Sequence, residues 1–142
     1  MSELNKTGFC NFITNKDYGI LFLRIGMSFV FLWFGLSQLI EPNNFVGWIP
    51  PEASIIPISS YNLVIINGAI EVFFGILLFI GMYSRISALV LGLHLLGISF
   101  TIGLTEIGVR DFGLSFATLS LVFLGQGAYA LDSLRKYKEN TL

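Results

Sequence analysis

The sequence has little charge for its length and no excess of basic residues. Charged residues make up 12% of its 142 residues, whereas 54% are hydrophobic and the mean hydropathy is +0.77. Because a soluble domain is nearer a quarter charged, this composition predicts an integral membrane protein with one domain over residues 1–142. The formal net charge of −1 excludes the basic surface that binds nucleic acid.

Residues that hold metals and redox cofactors are also scarce. The only cysteine is Cys10 and the only histidine is His94. One cysteine excludes an intrachain disulfide, a Cys-x-x-Cys redox centre and a zinc–thiolate site within one chain. Haem held by two histidines, an iron–sulfur cluster and a glycine-rich flavin fold are excluded likewise. We therefore predict no metal site and no covalently bound cofactor.

The first seventeen residues have neither the apolar core nor the cleavage site of a signal peptide, so we expect the first span to act as an uncleaved insertion signal. Apolar runs of about 17–25 residues are long enough to cross a bilayer as helices. Four such runs predict an all-α, integral membrane four-helix bundle. The predicted spans cover residues 18–40, 61–81, 86–102 and 112–131.

Between the first two spans, residues 41–60 contain all four prolines of the chain and Trp48. Proline interrupts a regular helix, so this segment is not expected to span. Its aromatic residues predict a position at the membrane interface or over the end of the bundle.

Basic residues outside the spans predict the orientation. One side of the membrane receives only Arg110, and the other receives all the rest, so the positive-inside rule places both termini in the cytoplasm. The cytoplasmic set is Lys6, Lys16, Arg85, Arg135, Lys136 and Lys138.

Each predicted span carries its polar and small residues along one face. The four stripes are Arg24, Ser28, Phe31, Gly35 and Gln38; Asn67, Gly68, Glu71 and Gly75; Ser87, His94, Gly97 and Thr101; and Asp111, Ser115, Thr118, Gly125, Gln126 and Tyr129. Polar side chains avoid lipid by facing other helices, so the stripes should converge on a polar interior.

Glu71 is the most informative residue, because a carboxylate deep in a membrane costs several kcal/mol unless it is paired, hydrated or protonated. Arg24 and His94 are its predicted partners, giving a buried Arg24–Glu71–His94 cluster for binding or proton transfer. Arg110 and Asp111 are expected at the outer mouth of the bundle, that is, at its non-cytoplasmic end, near Gln38. The alternative is structural: Glu71 would neutralise Arg24, and Asp111 would cap the last helix.

Several motifs resemble those of DoxX-like membrane proteins. They are Arg24-Ile25-Gly26, the segment 31–38, the segment 68–75 continuing to Arg85, Arg110-Asp111-Phe112-Gly113, and the ending 125–132. The resemblance covers nearly the whole chain and implies a four-helix fold, with Arg24 and Glu71 matching the family's first-helix arginine and glutamate. Many members carry a lysine where this chain has Gln38, which weakens any role of that mouth in attracting anions.

The resemblance implies an accessory membrane subunit of a quinone-linked redox complex, in a prokaryotic plasma membrane. Glu71 or His94 would move protons, quinone would be the bound group, and a protein partner would supply electrons. Two other functions stay open. One is a non-enzymatic membrane assembly factor or chaperone, and the other is a small-solute or proton pathway that would require a homo-oligomer.

Overall fold

The computed structural model describes residues 16–49 and 57–133. Its helices are α1 (Lys16–Ile40), α2 (Asn43–Val46), α3 (Ser60–Ile80), α4 (Ser84–Ile102) and α5 (Glu106–Leu124). The described residues contain no strand, and α1, α3, α4 and α5 are each long and apolar enough to cross a membrane. The predicted all-α architecture with four spans is confirmed.

The helix ends follow local capping chemistry. Ser59 caps α3 by accepting a hydrogen bond from the backbone N–H of Asn62, and Thr105 caps α5 through the N–H of Gly108. Gly81 ends α3 at φ 76°, a left-handed conformation that glycine adopts without strain. The short turn that follows lets α4 begin at Ser84 and return antiparallel to α3.

The fourth span differs from its prediction. Helix α5 covers Glu106–Leu124, whereas the apolar run suggested 112–131. Thr105 starts the helix earlier, and Gly125 ends it with φ 83°. The later residues of the predicted stripe, Gln126 and Tyr129 among them, therefore lie in the loop after α5.

Two close helix pairs build the bundle: α1 packs mainly on α3, and α4 packs mainly on α5. In the first pair, Gly35 and Gly68 face each other so closely that a Cβ built on Gly68 would lie 2.8 Å from the carbonyl oxygen of Gly35. In the second pair, Gly92 is covered by the side chain of Leu119. Glycine at these positions lets the helix backbones approach, as in other membrane bundles.

The interior contains a mixture of aliphatic and polar side chains, while large apolar side chains such as Trp33 point outward. The polar stripes predicted for α1 and α3 do face inward. The α4 stripe is partly wrong: Gly97 is exposed, and Ser99 is buried instead. The hydroxyl of Ser99 donates to the carbonyl oxygen of Gly108 at 2.7 Å, which ties α4 to α5.

Candidate functional site

A cavity of about 150 Å³ lies inside the end of the bundle that carries α2 and the α4–α5 turn, hereafter the α2 end. All four long helices contribute to its wall, together with α2 and the residues after it. Most of the lining is aromatic or aliphatic. The polar lining side chains are Gln38, Asn67, Glu71, Thr101, Arg110 and Asp111.

Glu71 occupies one wall of this cavity, near the middle of α3, and is only 3% exposed. Its Oε2 accepts a hydrogen bond from Nε2 of Gln38 at 3.1 Å, and its Oε1 accepts one from Nδ2 of Asn67 at 3.1 Å. Nδ2 of Asn67 also donates to Oε1 of Gln38 at 2.6 Å. Three side chains from two helices thus form a closed network, which we call the Glu71 network.

The Gly35–Gly68 contact sets the spacing of this network. Gly35 lies one turn before Gln38 on α1, and Gly68 lies one turn before Glu71 on α3. A Cβ on Gly35 would lie 2.9 Å from the Cβ of Glu71, so no larger residue fits without moving a helix. The close backbone approach brings the side-chain amide of Gln38 within hydrogen-bond distance of the Glu71 carboxylate.

His94 approaches the same carboxylate from α4. Its Nε2 lies 3.7 Å from Oε1 of Glu71, beyond a hydrogen bond. This nitrogen is buried and has no hydrogen-bond partner in the part of the chain that the structure describes. A bare nitrogen lone pair beside a carboxylate would be repelled, so electrostatics favours the tautomer with hydrogen on Nε2. The predicted Glu71–His94 neighbourhood is confirmed.

Arg110 and Asp111 lie on another part of the cavity wall, on α5. Nε of Arg110 donates to Oδ1 of Asp111 at 2.8 Å, and the guanidinium lies 5.4 Å from the ring centroid of Phe34. Asp111 is 6% exposed, whereas the Arg110 side chain is 46% exposed. Asp111 lies in the second turn of α5, and Thr105 caps that helix. The structural alternative of Asp111 as a cap is therefore wrong.

Arg24 does not belong to the cluster, which corrects the predicted Arg24–Glu71 pair. Its Nη1 donates to the carbonyl oxygen of Gln126 and its Nη2 to that of Tyr129, both at 2.8 Å. Nη1 also approaches Gly81, ten residues beyond Glu71, which is about 15 Å along a helix. No ion pair joins Arg24 and Glu71 among residues 16–49 and 57–133. Arg24 instead holds the loop after α5 by these two hydrogen bonds, at the end of the bundle opposite α2.

The aromatic wall of the cavity was only partly anticipated. Phe45 and Trp48 follow α1 and were expected to lie over the bundle or at the interface; they line the cavity here. Their interface position stays a prediction, and residues 50–56 of the proline-containing segment lie outside the described residues. Phe34 and Leu114 were missed, because an apolar residue that lines a cavity has the same sequence pattern as one that fills a core.

The described residues offer no group of three or more His, Cys, Asp or Glu side chains that could hold a metal ion. Their chemistry is that of a carboxylate, two amides and an imidazole beside an apolar space. This arrangement suits a flat apolar molecule with one or two hydrogen-bonding oxygens.

Comparisons with known proteins give one match. The model of the DoxX family matches residues 19–104, more than half of the chain, and this segment contains the Glu71 network and His94. Neither the curated proteins nor the solved structures contain a match. The chain therefore belongs to the DoxX family and is a multi-pass integral membrane protein of the lipid bilayer.

Proposed function

We propose that this chain is an accessory membrane subunit of a redox complex and that its cavity binds the head group of a quinone. The observation that supports the proposal is the position of the Glu71 network: a buried carboxylate with two amides on the wall of a cavity otherwise lined mainly by aromatic and aliphatic side chains. A quinone ring needs apolar contacts for its faces and polar groups for its oxygens. Both are present here.

The residues of the site suit proton transfer more than electron transfer. Reduction of a quinone to a quinol takes two electrons and two protons. Glu71 lines the cavity and His94 lies beside it, with its Nε2 3.7 Å from Oε1 of Glu71, so we assign proton supply and uptake to these two side chains. Arg110 holds the side chain of Asp111 and provides further N–H donors for a carbonyl oxygen. The electrons come from a partner protein that binds this subunit.

The size of the cavity supports a small aromatic head group. An engineered apolar protein cavity of about 150 Å³ binds benzene, and this cavity has a similar volume. A single quinone ring therefore matches the enclosed space, while an isoprenoid tail would extend between helices into lipid.

The proposal is tested by filling the cavity. Leu95 is 8% exposed and lines the cavity, whereas Leu93, on the same helix, is 54% exposed. Overpacking costs about 1–3 kcal/mol, so Leu95→Phe should weaken binding of a short-chain benzoquinone at least about fivefold. Leu93→Phe adds the same ring outside the cavity and should bind as the wild type does. Calorimetric titration in detergent, with thermal unfolding to verify both folds, measures the difference.

Equal affinity of the two variants would contradict binding in this cavity. Isolation from native membranes in mild detergent provides a second test, in which quinone and a redox protein are expected to co-purify. Recovery of an unrelated membrane client without quinone would instead favour an assembly factor.

A further inference from the structure

The hydrogen-bond directions of the Glu71 network determine which oxidation state of the ligand the cavity favours. Nδ2 of Asn67 has two hydrogens, and both are engaged: one by Oε1 of Gln38 and one by Oε1 of Glu71. Nε2 of Gln38 donates to the other carboxylate oxygen. Reversing the Gln38 amide would place its NH₂ against the NH₂ of Asn67 and its oxygen against the carboxylate. The directions of the three bonds therefore support one another.

These directions present Glu71 to the cavity as a hydrogen-bond acceptor. Each of its oxygens already accepts an amide hydrogen, and the His94 imidazole approaches Oε1 from a third helix. Both oxygens therefore act as acceptors within the network, and the two amide groups around them are donors. An ionised carboxylate has about four acceptor positions, so two remain for a ligand.

From this pattern we propose that the cavity binds the quinol form of a benzoquinone-type ligand in preference to the quinone form, with a quinol hydroxyl donating to Glu71. This inference rests on the proposed quinone site. A quinone oxygen is an acceptor and is repelled by the carboxylate, whereas a quinol hydroxyl is a donor and completes its hydrogen bonding. Preferential binding of the quinol also raises the midpoint potential of the bound couple, which makes the bound quinone a better electron acceptor.

The expected preference follows from the strength of a hydrogen bond to a charged acceptor. Such a bond corresponds to at least about a tenfold difference in affinity between quinol and quinone. For a two-electron couple, a tenfold preference raises the midpoint potential by about 30 mV.

The test is an anaerobic calorimetric titration of the wild-type protein in detergent with three probes: decyl-benzoquinol, decyl-benzoquinone and the dimethyl ether of the quinol. The ether keeps the size of the quinol and loses both hydroxyl donors. The quinol should bind at least about tenfold more tightly than either of the other probes.

Two variants connect the preference to the carboxylate. Glu71→Gln replaces an acceptor oxygen with a donor NH₂ and should remove or reverse the preference. Glu106→Gln changes an exposed carboxylate in the first turn of α5 and should leave it unchanged. The wild-type comparison of the three probes does not depend on how well Glu71→Gln folds.

The outcomes separate the two proposals. Equal binding of quinol and quinone, or tighter binding of the quinone, would overturn the inference and leave the quinone site standing. A dimethyl ether that binds as well as the quinol would also overturn it. Failure of all three probes to bind would overturn the proposed function itself.

Discussion

The contact between Gly35 and Gly68 makes a quantitative prediction about the site, because it sets the distance between α1 and α3. A Cβ on Gly68 would lie 2.8 Å from the carbonyl oxygen of Gly35 and 3.0 Å from the Cβ of Gln38. An ordinary contact begins near 3.4 Å, so Gly68→Ala must move the helices apart by about 0.6 Å. The neighbouring atom is backbone and cannot rotate away.

That displacement is enough to break the Glu71 network. The hydrogen bond from Gln38 to Glu71 is 3.1 Å long and would lengthen to about 3.7 Å, beyond hydrogen-bond distance. Overpacking and the loss of a hydrogen bond to a charged group together should lower the free energy of unfolding by about 2.5 to 6 kcal/mol. The same displacement should weaken the proposed binding of quinone, because the carboxylate loses the donor that orients it.

Thermal unfolding in detergent, followed by circular dichroism, measures this effect. Gly26→Ala is the matched control: Gly26 lies on α1, and a Cβ there meets nothing within 4 Å. Because alanine is favoured over glycine inside a helix by about 0.5–1 kcal/mol, the control should be as stable as the wild type or more so. A Gly68→Ala protein with unchanged stability would refute the argument that this contact sets the helix spacing.

Two further predictions concern charge and orientation. Arg24→Met should destabilise the protein by about 1–3 kcal/mol, because two loop carbonyls lose their donor, and its effect should add to that of Glu71→Leu within about 0.5 kcal/mol. A double substitution that restores stability would show that the two side chains interact, contrary to the structure. If both termini are cytoplasmic, a membrane-impermeant thiol reagent applied outside should label a cysteine placed near Trp48 and not one placed near Lys138. The reverse labelling pattern would contradict the orientation.

The sequence by itself determined the membrane class and the number of membrane-length helices in this fold. Apolar runs of sufficient length must form helices in a bilayer, since every backbone polar group needs a partner there. The sequence also identified Glu71 as the central polar group, because a carboxylate in an apolar span must face polar groups inside the bundle. The stripes of α1 and α3 were predictable for the same reason: their polar and small residues recur at helical spacing.

Only the tertiary structure decided which groups meet. Arg24 and Glu71 have opposite charges, and an extended arginine was expected to reach toward the carboxylate. The arginine instead binds the carbonyls of a loop that the apolar pattern had assigned to a helix. Hydropathy does not record where a capping threonine begins a helix or where a glycine with positive φ ends it. Nor does it give the rotation of α4, which buries Ser99 and exposes Gly97. The cavity arises from five helices at once, so its lining depends on contacts between residues far apart in the chain.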